Sequence, residues 1–579
     1  MTDQKALLLD ALTAKQRLQF SVIIGCWLLG TAVYWWWWLS PEHVVGAHVM
    51  VANSLIFFYI TALPAYSYFF ALRMRRVNQE RPLDAGWRLA MVVTKAPAEP
   101  WPMLKETLCS MLAQEPVHDT WLADEDPSPD TLNWCKSHGV KVSCRKQAAN
   151  YHNQAWPRRR RCKEGNLAYF YDHYGYENYD IVVQLDADHR PQPGYLAAMA
   201  RPFLDPKVGY VAAPSICDRN RETSWSARGR LYFEAVLHGP LQMGYCHGWQ
   251  PICIGSHYAI RTTSLQQIGG LGPELAEDLS TSLMFIAKGW KGTFASEAIC
   301  NGLGPDTFQD CMTQEFQWSK SITTLLLQYS LQWLSPLPWH LKAQLLFVQL
   351  FYPIRGLLSM AALVISAIAL LTAYPWISLN YIRFLSLNGL EFLLTLLPCL
   401  WLQQHGFLRP NNIRVISWET WLFEMTRGPW VLLGVTSAIW DHLFKRSNGF
   451  LITRKDGLAR TVPPGFLYPY CICALLAVGI AVAVPNAGPA QGYYLLILLV
   501  GSLFAVCCIA VVVLSKLESQ TRWRHSYRNI LASLVTSSVI LAGWTMRQRE
   551  VASTIAEPSL EQLSIFKSVL ASTQQSNAK

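Results

Sequence analysis

The distribution of long apolar stretches constrains this chain more than any other feature of its sequence. Two such stretches lie near the N-terminus, and others follow the middle of the chain, at residues 20–39, 45–72, 343–373, 384–401, 466–485 and 493–515. Each has about the 20 residues that a helix needs to cross a bilayer. The intervening segment, from residue 87 to about 335, has ordinary polarity. We therefore predict a helical membrane protein with a water-exposed domain inserted between its second and third spans.

Composition supports this prediction. Hydrophobic residues make up 51% of the 579 residues and charged residues 15%, against about 25% charged in a typical soluble domain. A disordered chain, a coiled coil and a small disulfide scaffold are excluded, and a purely soluble enzyme is disfavoured. The mean hydropathy of +0.15 shows that apolar spans cannot fill the whole chain.

Basic residues indicate the orientation of the spans. The loop at about 40–44 has no Lys or Arg, whereas Arg73, Arg75 and Arg76 directly follow the second span. By the positive-inside rule, both ends of this hairpin face the cytoplasm, and so does the basic stretch 402–465. We expect an integral protein of a bacterial inner or plasma membrane with a cytoplasmic catalytic domain. The formal charge of +10 then reflects cytoplasmic loops, and no nucleic-acid partner is expected.

The predicted organisation has six parts. They are an N-terminal transmembrane hairpin at 1–76, a cytosolic α/β domain with interfacial helices at 77–340, a transmembrane pair at 341–401, a cytoplasmic interfacial helix and loop at 402–465, C-terminal transmembrane helices at 466–546 and a polar tail at 547–579. Residues 530–546 are uncharged but short and rich in Ser and Thr, so a seventh span and an interfacial helix both fit them.

Short apolar runs alternate with helical stretches in the polar domain. The runs are LAMVV at 89–93, TWLAD at 120–124, IVVQLD at 181–186 and VGYVAAP at 208–214. This alternation predicts a mostly parallel sheet, whose chemistry lies at the carboxyl ends of its strands.

Acidic residues follow one of these strands directly. Asp186 and Asp188 are two residues apart, so their carboxylates point to the same side of an extended segment. Together they can share one hard divalent cation, which prefers oxygen ligands. The alternative is a turn with helix-capping Asp residues.

Three further features contain candidate catalytic or binding residues. Glu277-Asp278 precedes a helical stretch and can supply either a general base or a helix cap. Gln314 and Trp318 are four residues apart and share a helix face, although an interfacial Trp beside the membrane would show the same pattern. Asp124 ends another strand, and Lys163 follows the basic run Arg158–Arg161.

The order of these motifs resembles that of the membrane-integrated processive family-2 glycosyltransferases over residues 20–515. The cellulose synthase branch is the most similar, in three stretches: LDADHRPQPGYL at 185–196, NGLGPDTFQDCMTQEFQW at 301–318, and FLITRK at 450–455. The last resembles the F-x-V-T-x-K gating loop of that branch, with Ile452 in place of Val.

The resemblance implies a GT-A (Rossmann-like) fold that binds a UDP-sugar with Mg²⁺ or Mn²⁺. It implies Asp278 as the catalytic base with Glu277 beside it, and Asp186 and Asp188 as metal ligands. Gly255, Ser256 and Trp318 would contact the acceptor. The implied donor-binding residues are Glu99, Asp124, Lys163, Asp186, Gln314, Thr453 and Lys455.

The implied activity is processive and inverting. A UDP-sugar, above all UDP-glucose, would be polymerised into a β-linked glucan that crosses the membrane, with the β-1,4, β-1,3 and mixed linkages all open. Expected partners are this donor, the growing polysaccharide and membrane lipid; periplasmic or oligomeric partners stay open. The alternatives are a chitin- or hyaluronan-like synthase, a non-processive lipid glycosyltransferase and an inactive polysaccharide channel.

The chain departs from the motifs of the family at three points. The T-E-D motif has Ala276 in first place, and the Y-N-E-P motif of the first strand is Pro97-Ala98-Glu99-Pro100. Gln317 stands where Q-x-x-R-W has an Arg that faces the diphosphate, and a neutral amide cannot replace that charge. Lys320 and the Arg158–Arg161 run are candidate substitutes.

Overall fold

The computed structural model describes most of the chain, namely residues 6–97, 99–160, 162–273, 276–445, 462–519 and 527–556. Its helices are α1 Ala14–Trp38, α2 Ala47–Ala71, α3 Trp101–Leu112, α4 Pro129–Ser137, α5 Lys163–Phe170, α6 Tyr176–Asn178, α7 Tyr195–Ala200, α8 Trp225–Glu234, α9 Gln242–Tyr245, α10 Thr262–Ile268, α11 Glu277–Ala287, α12 Phe308–Gln328, α13 Ser330–Leu334, α14 Trp339–Thr372, α15 Tyr381–Gln404, α16 Trp418–Leu443, α17 Tyr468–Ala483, α18 Tyr493–Ser519, α19 Tyr527–Met546 and α20 Gln548–Ala556.

The strands lie mainly between the second and fourteenth helices. They are β1 Leu8–Asp10, β2 Arg75–Val77, β3 Leu89–Lys95, β4 Asp119–Asp124, β5 Lys141–Ser143, β6 Ile181–Asp186, β7 Arg190–Pro191, β8 Val208–Ala212, β9 Ser215–Ile216, β10 His257–Arg261, β11 Lys291–Phe294 and β12 Cys300–Asn301.

The polar domain is built on a seven-stranded sheet in the order β11-β8-β10-β6-β3-β4-β5. The neighbours β6, β3, β4 and β5 are parallel, as the alternating sequence predicts. Strand β10 is the exception, because it runs antiparallel to both β6 and β8. β3 and β6 are apolar along nearly their whole length and almost entirely buried, which is typical of strands covered on both faces.

Six helices within the described residues are long and apolar enough to cross a membrane: α1, α2, α14, α15 from Arg383, α18 and α19. Helix α19 has 20 residues, so the segment around 530–546 meets the length and composition of a span. The predicted span at 466–485 instead contains the 16-residue α17. This helix packs against α18 and α19, so it belongs to the same apolar bundle.

Two amphipathic helices join the α/β domain to this bundle. Helix α12 follows the last strand of the domain and packs against α14 and α16. Helix α16 falls in the segment for which the sequence predicts an interfacial helix, and it also contacts α8 of the α/β domain. Because α12 carries Trp318 and leads into α14, the predicted site lies next to the apolar helices.

Candidate functional site

Three neighbouring parallel strands end in charged residues at one edge of the sheet. β3, β4 and β6 end at Lys95, Asp124 and Asp186, and the register pairs Lys95 with Asp124. The Nζ of Lys95 lies 3.3 Å from an Asp124 carboxylate oxygen, and the backbone N–H of Asp126 donates to the other oxygen at 3.0 Å. The buried Asp124 carboxylate is therefore contacted by a cation and a backbone amide.

Lys163 connects the separate parts of this edge. As the first residue of α5, it places its Nζ 2.7 Å from Asp186 Oδ1 and 4.0 Å from Glu277 Oε1. It also donates a hydrogen bond to the Gly255 carbonyl. A single ammonium group thus links the end of β6, the turn before β10 and the start of α11.

Asp186, Asp188 and His189 form a cluster of possible metal ligands, with one atom of each within 4.8 Å of the others. Asp188 is fully buried, and its Oδ2 accepts the Leu303 N–H at 2.9 Å. Its Oδ1 lies 3.3 Å from His189 Nδ1. Two carboxylates with fixed oxygens suit a hard divalent cation, so the residues present fit Mg²⁺ or Mn²⁺.

Glu277 and Asp278 form the first turn of α11, where the helix dipole favours negative charge. The Leu279 N–H donates to Asp278 Oδ1 at 2.8 Å. A Cβ atom at Gly255 would lie 3.2 Å from Asp278 Oδ2, so glycine allows the backbone to approach this oxygen closely. The N-cap of α11 is Ala276, so Asp278 lies inside the first turn, with one oxygen bonded to the Leu279 N–H and the other facing Gly255. Its role as a general base stays a prediction.

Burial governs the protonation of these two carboxyl groups. It raises the pKa of both Glu277 and Asp278 above the ordinary carboxyl range, while the charge of Lys163 opposes the increase. Among the described residues, Glu277 Oε1 has no hydrogen-bond partner. A carboxyl group whose pKa is raised in this way is suited to accept a proton near neutral pH.

Helix α12 brings Gln314 and Trp318 to one face, as their spacing predicts. The guanidinium carbon of Arg230, on α8, lies 4.1 Å from the centroid of the Trp318 ring. Arg230 also donates a hydrogen bond to the side-chain oxygen of Gln314. The backbone N–H of Ala276 donates to Ser321 Oγ at 3.1 Å, which ties α12 to the start of α11.

Glu99 and Ser256 form hydrogen bonds beside the strand ends. Glu99 accepts the Ala96 N–H at 2.7 Å in the turn after β3. The carbonyl of Ser256 accepts the Asp186 N–H at 2.8 Å, and its hydroxyl donates to Ser215 at 2.8 Å. These bonds fix the turn that carries Gly255 against the end of β6.

The candidate substitutes for the missing Arg at position 317 have partners elsewhere. Lys320 lies 2.6 Å from Asp441 on α16, and Arg158 lies 2.8 Å from Asp172. The cation beside Gln314 and Trp318 is instead Arg230. Neither Arg230 nor Lys95 was predicted from the sequence. Lys95 has a detectable signal, because it ends an apolar strand just as Asp124 and Asp186 do.

The gating-loop motif FLITRK at 450–455, with Thr453 and Lys455, lies outside the residues that the structure describes. So does Arg161, the last member of the basic run. The roles of these residues stay predictions.

Residues 181–377 match the family model described as glycosyl transferase family group 2, which covers about a third of the chain. No curated protein sequence matches. The matched segment begins at β6 and contains both aspartates of the metal-ligand cluster, the Glu277-Asp278 pair and the α12 motif, whereas Asp124 and Lys163 precede it. With the mixed sheet, this match confirms the prediction of an α/β glycosyltransferase domain inserted between apolar helices.

Three solved structures illustrate the similarity. The mannosyltransferase PcManGT from Pyrobaculum calidifontis, in complex with GDP-Man and Mn²⁺, is 16% identical, with a TM-score of 0.43 over 68% of this chain and 98% of its own. Glucosyl-3-phosphoglycerate synthase from Mycobacterium tuberculosis, with Mn²⁺, UDP and glucosyl-3-phosphoglycerate, is 17% identical, with a TM-score of 0.28 over 42% and 80%. GalNAc-T7, with UDP, GalNAc and Mn²⁺, is 14% identical, with a TM-score of 0.27 over 38% and 44%.

Proposed function

We propose that this glycosyltransferase polymerises a UDP-sugar, with UDP-glucose as the favoured donor, into a β-linked glucan and moves the product across the membrane. One observation carries the proposal: Lys163 joins the carboxylate that ends β6 to the acidic start of α11. A candidate metal ligand, Asp186, and Glu277, the neighbour of the candidate base Asp278, thus both lie within 4.0 Å of one ammonium group. The motif helix α12 leads from the same place toward the apolar helices.

The chemistry follows from the positions of these groups. Asp278 accepts the proton of the acceptor hydroxyl as that oxygen attacks the anomeric carbon, and in-line displacement inverts the configuration there. A divalent cation held by Asp186 and Asp188 would neutralise charge on the departing diphosphate. Lys163 adds a fixed positive charge beside Asp186, and Asp124 lies where the resemblance implies contact with the nucleoside.

The acceptor end of the saccharide has its own proposed surface. The apolar face of a sugar ring stacks well on an indole, and Trp318 is partly exposed on α12. Gly255 lies beside Asp278, where the acceptor hydroxyl is proposed to bind. Helix α14 continues from this region into the apolar bundle, which gives a growing polymer a direction of exit.

The decisive experiment supplies the purified full chain in lipid vesicles with each radiolabelled UDP-sugar and Mg²⁺ or Mn²⁺. We expect incorporation from UDP-glucose into high-molecular-weight product that linkage-specific β-glucanases digest. Incorporation from an amino-sugar nucleotide alone would replace the glucan with a chitin- or hyaluronan-like product. Transfer of one sugar to lipid would show a non-processive enzyme, and no transfer from any donor would leave an inactive channel.

The pH profile of transfer should report the Asp278 carboxyl. Burial raises the pKa of this group, and the base works only when ionised. Activity should therefore fall as the pH decreases through a value above the ordinary Asp pKa of about 4. We would measure kcat/KM against pH at saturating metal; a profile that stays flat down to pH about 4 would contradict Asp278 as the base.

Removal of the metal should stop transfer. Chelation by EDTA should abolish incorporation, and added Mn²⁺ should restore it, because Asp186 and Asp188 then regain their cation. Asp188→Asn should raise the Mn²⁺ concentration for half-maximal activity at least tenfold, and should weaken Mn²⁺ binding measured by electron paramagnetic resonance. Asp130→Asn, at an exposed position on α4, serves as the matched control. Unchanged Mn²⁺ binding in Asp188→Asn would place the metal elsewhere.

A further inference from the structure

Arg230 occupies a position for which the sequence motifs provide no role. It projects from α8, in the segment between β9 and β10, and its guanidinium lies over the Trp318 ring at 4.1 Å from the centroid. Its side chain is only 12% exposed. A guanidinium at this distance from an indole face gains cation–π attraction, which is stronger when both groups are shielded from water.

Two polar partners fix the orientation of the Arg230 guanidinium. Its Nε lies 3.0 Å from Glu234 Oε1, one turn further along α8. Another nitrogen donates to Gln314, which is one turn before Trp318 on α12. The guanidinium is therefore held from both helices, and the ring of Trp318 is held with it.

Glu234 carries a negative charge that holds the Arg230 guanidinium in place. Burial pushes its pKa up, but Arg230 and His238 outweigh that effect and lower the pKa to about 2. His238 Nε2 lies 3.6 Å from the second Glu234 oxygen. Glu234 consequently stays ionised throughout the pH range in which an enzyme of this kind is assayed.

The guanidinium retains donors for a ligand. It has five N–H bonds, and the two contacts to Glu234 and Gln314 use only part of them within the described residues. Trp318 is partly exposed, so part of its ring remains open to a ligand. Gln317, next to Trp318, carries no charge, so the positive charge near this ring comes from α8.

We infer that Arg230 is an acceptor-positioning residue: it locks the Trp318 ring from one face so that the other face receives the terminal sugar of the saccharide. This inference rests on the proposed function, because it concerns how the same site binds its acceptor saccharide. The planar guanidinium is essential to the arrangement, because it stacks on the ring while bonding to two side chains in its own plane.

The test compares steady-state kinetics of full-length variants in vesicles, with β-glucan oligosaccharides as acceptors. Arg230→Gln should raise the KM for the acceptor about tenfold and leave the KM for the UDP-sugar within twofold of the wild type. Arg230→Lys should show an intermediate increase, because an ammonium keeps the charge but loses the planar stacking. Arg221→Gln makes the same charge change in the loop before α8, where Arg221 pairs with Glu222 at 3.1 Å, and should change neither constant.

A double-mutant cycle shows whether Arg230 acts through Trp318. If it does, Arg230→Gln should add little to the acceptor KM of Trp318→Ala. Full additivity of the two effects, an unchanged acceptor KM in Arg230→Gln, or a selective increase in donor KM would each overturn the inference. If the loss of Arg230 prevents folding by leaving Glu234 unpaired, the variant Arg230→Gln/Glu234→Gln removes both charges and takes its place.

Failure of the proposed function can be distinguished from failure of the role of Arg230. If the wild type transfers no sugar, the proposed activity fails, whereas acceptor positioning can still be measured as binding. Isothermal titration of the wild type and Arg230→Gln with the same oligosaccharides should then show about a tenfold weaker affinity in the variant. Equal affinities in the two proteins would overturn the role of Arg230 in either case.

Discussion

Asp278→Asn should reduce kcat for sugar transfer by a factor of about 10²–10⁴, the usual contribution of a positioned general base. The amide can still accept the Leu279 N–H that now binds Asp278 Oδ1 at 2.8 Å, so the start of α11 should keep its structure. It cannot take a proton from the acceptor hydroxyl. We therefore expect a loss in kcat with little change in the affinity for the UDP-sugar.

The comparison uses radiolabelled incorporation at saturating donor, together with binding of the UDP-sugar by titration calorimetry. Glu222→Gln removes a carboxylate whose side chain is 82% exposed, and it should retain wild-type kcat. If Asp278→Asn keeps more than a tenth of the wild-type rate, the base is another group, and Glu277 becomes the first candidate.

Arg427→Met should destabilise the protein by about 3–5 kcal/mol, the usual cost of removing one member of a buried ion pair. Arg427 lies on α16 with its side chain 2% exposed, 3.0 Å from Glu315 on α12 and 3.2 Å from Glu424. The aromatic rings of Phe233 and Phe423 lie within about 5 Å of its guanidinium carbon. Without Arg427, the buried Glu315 carboxylate would lose its ion-pair partner at 3.0 Å, and only the less direct charges of Arg230 and Arg355 would oppose its burial.

Thermal and denaturant unfolding in detergent micelles would measure this loss. Arg414→Met, at an exposed position before α16, should change the free energy of unfolding by less than about 0.5 kcal/mol. The double variant Glu315→Met/Arg427→Met should recover much of the stability, because it leaves no unpaired charge at this contact. If Arg427→Met were as stable as the wild type, water would have to reach the carboxylates of Glu315 and Glu424.

The strand ends were predictable because a local pattern encodes them. An apolar run followed directly by Asp124 or Asp186 predicts a carboxylate at the edge of a parallel sheet. This prediction does not depend on how the rest of the chain folds. The same logic applies to Lys95, although the polar Thr94 separates it from the apolar run at 89–93 and weakens the pattern. The direction of β10 was not predictable, since HYAIR can pair with a neighbour in either orientation.

Contacts between distant segments could not be predicted in the same way. Arg230 and Trp318 are 88 residues apart, and nothing in the spacing of either helix indicates that α8 and α12 meet. The helix in the span predicted at 466–485 is shorter than the segment for a local reason. Helix α17 ends at Ala483, two residues before Pro485, because the residue before a proline is disfavoured in helical conformation.

The position of Lys163 makes the two sides of the site thermodynamically interdependent. Its ammonium group lies within 2.7 Å of a carboxylate oxygen on the β6 side and 4.0 Å of one on the α11 side. An anion that draws the Lys163 ammonium group away from Glu277 increases the proton affinity of the Glu277 carboxyl. A cation that displaces the ammonium group from Asp186 toward Glu277 decreases that proton affinity. By reciprocity, the protonation of Glu277 must alter the affinity for charged ligands at Asp186 by the same factor.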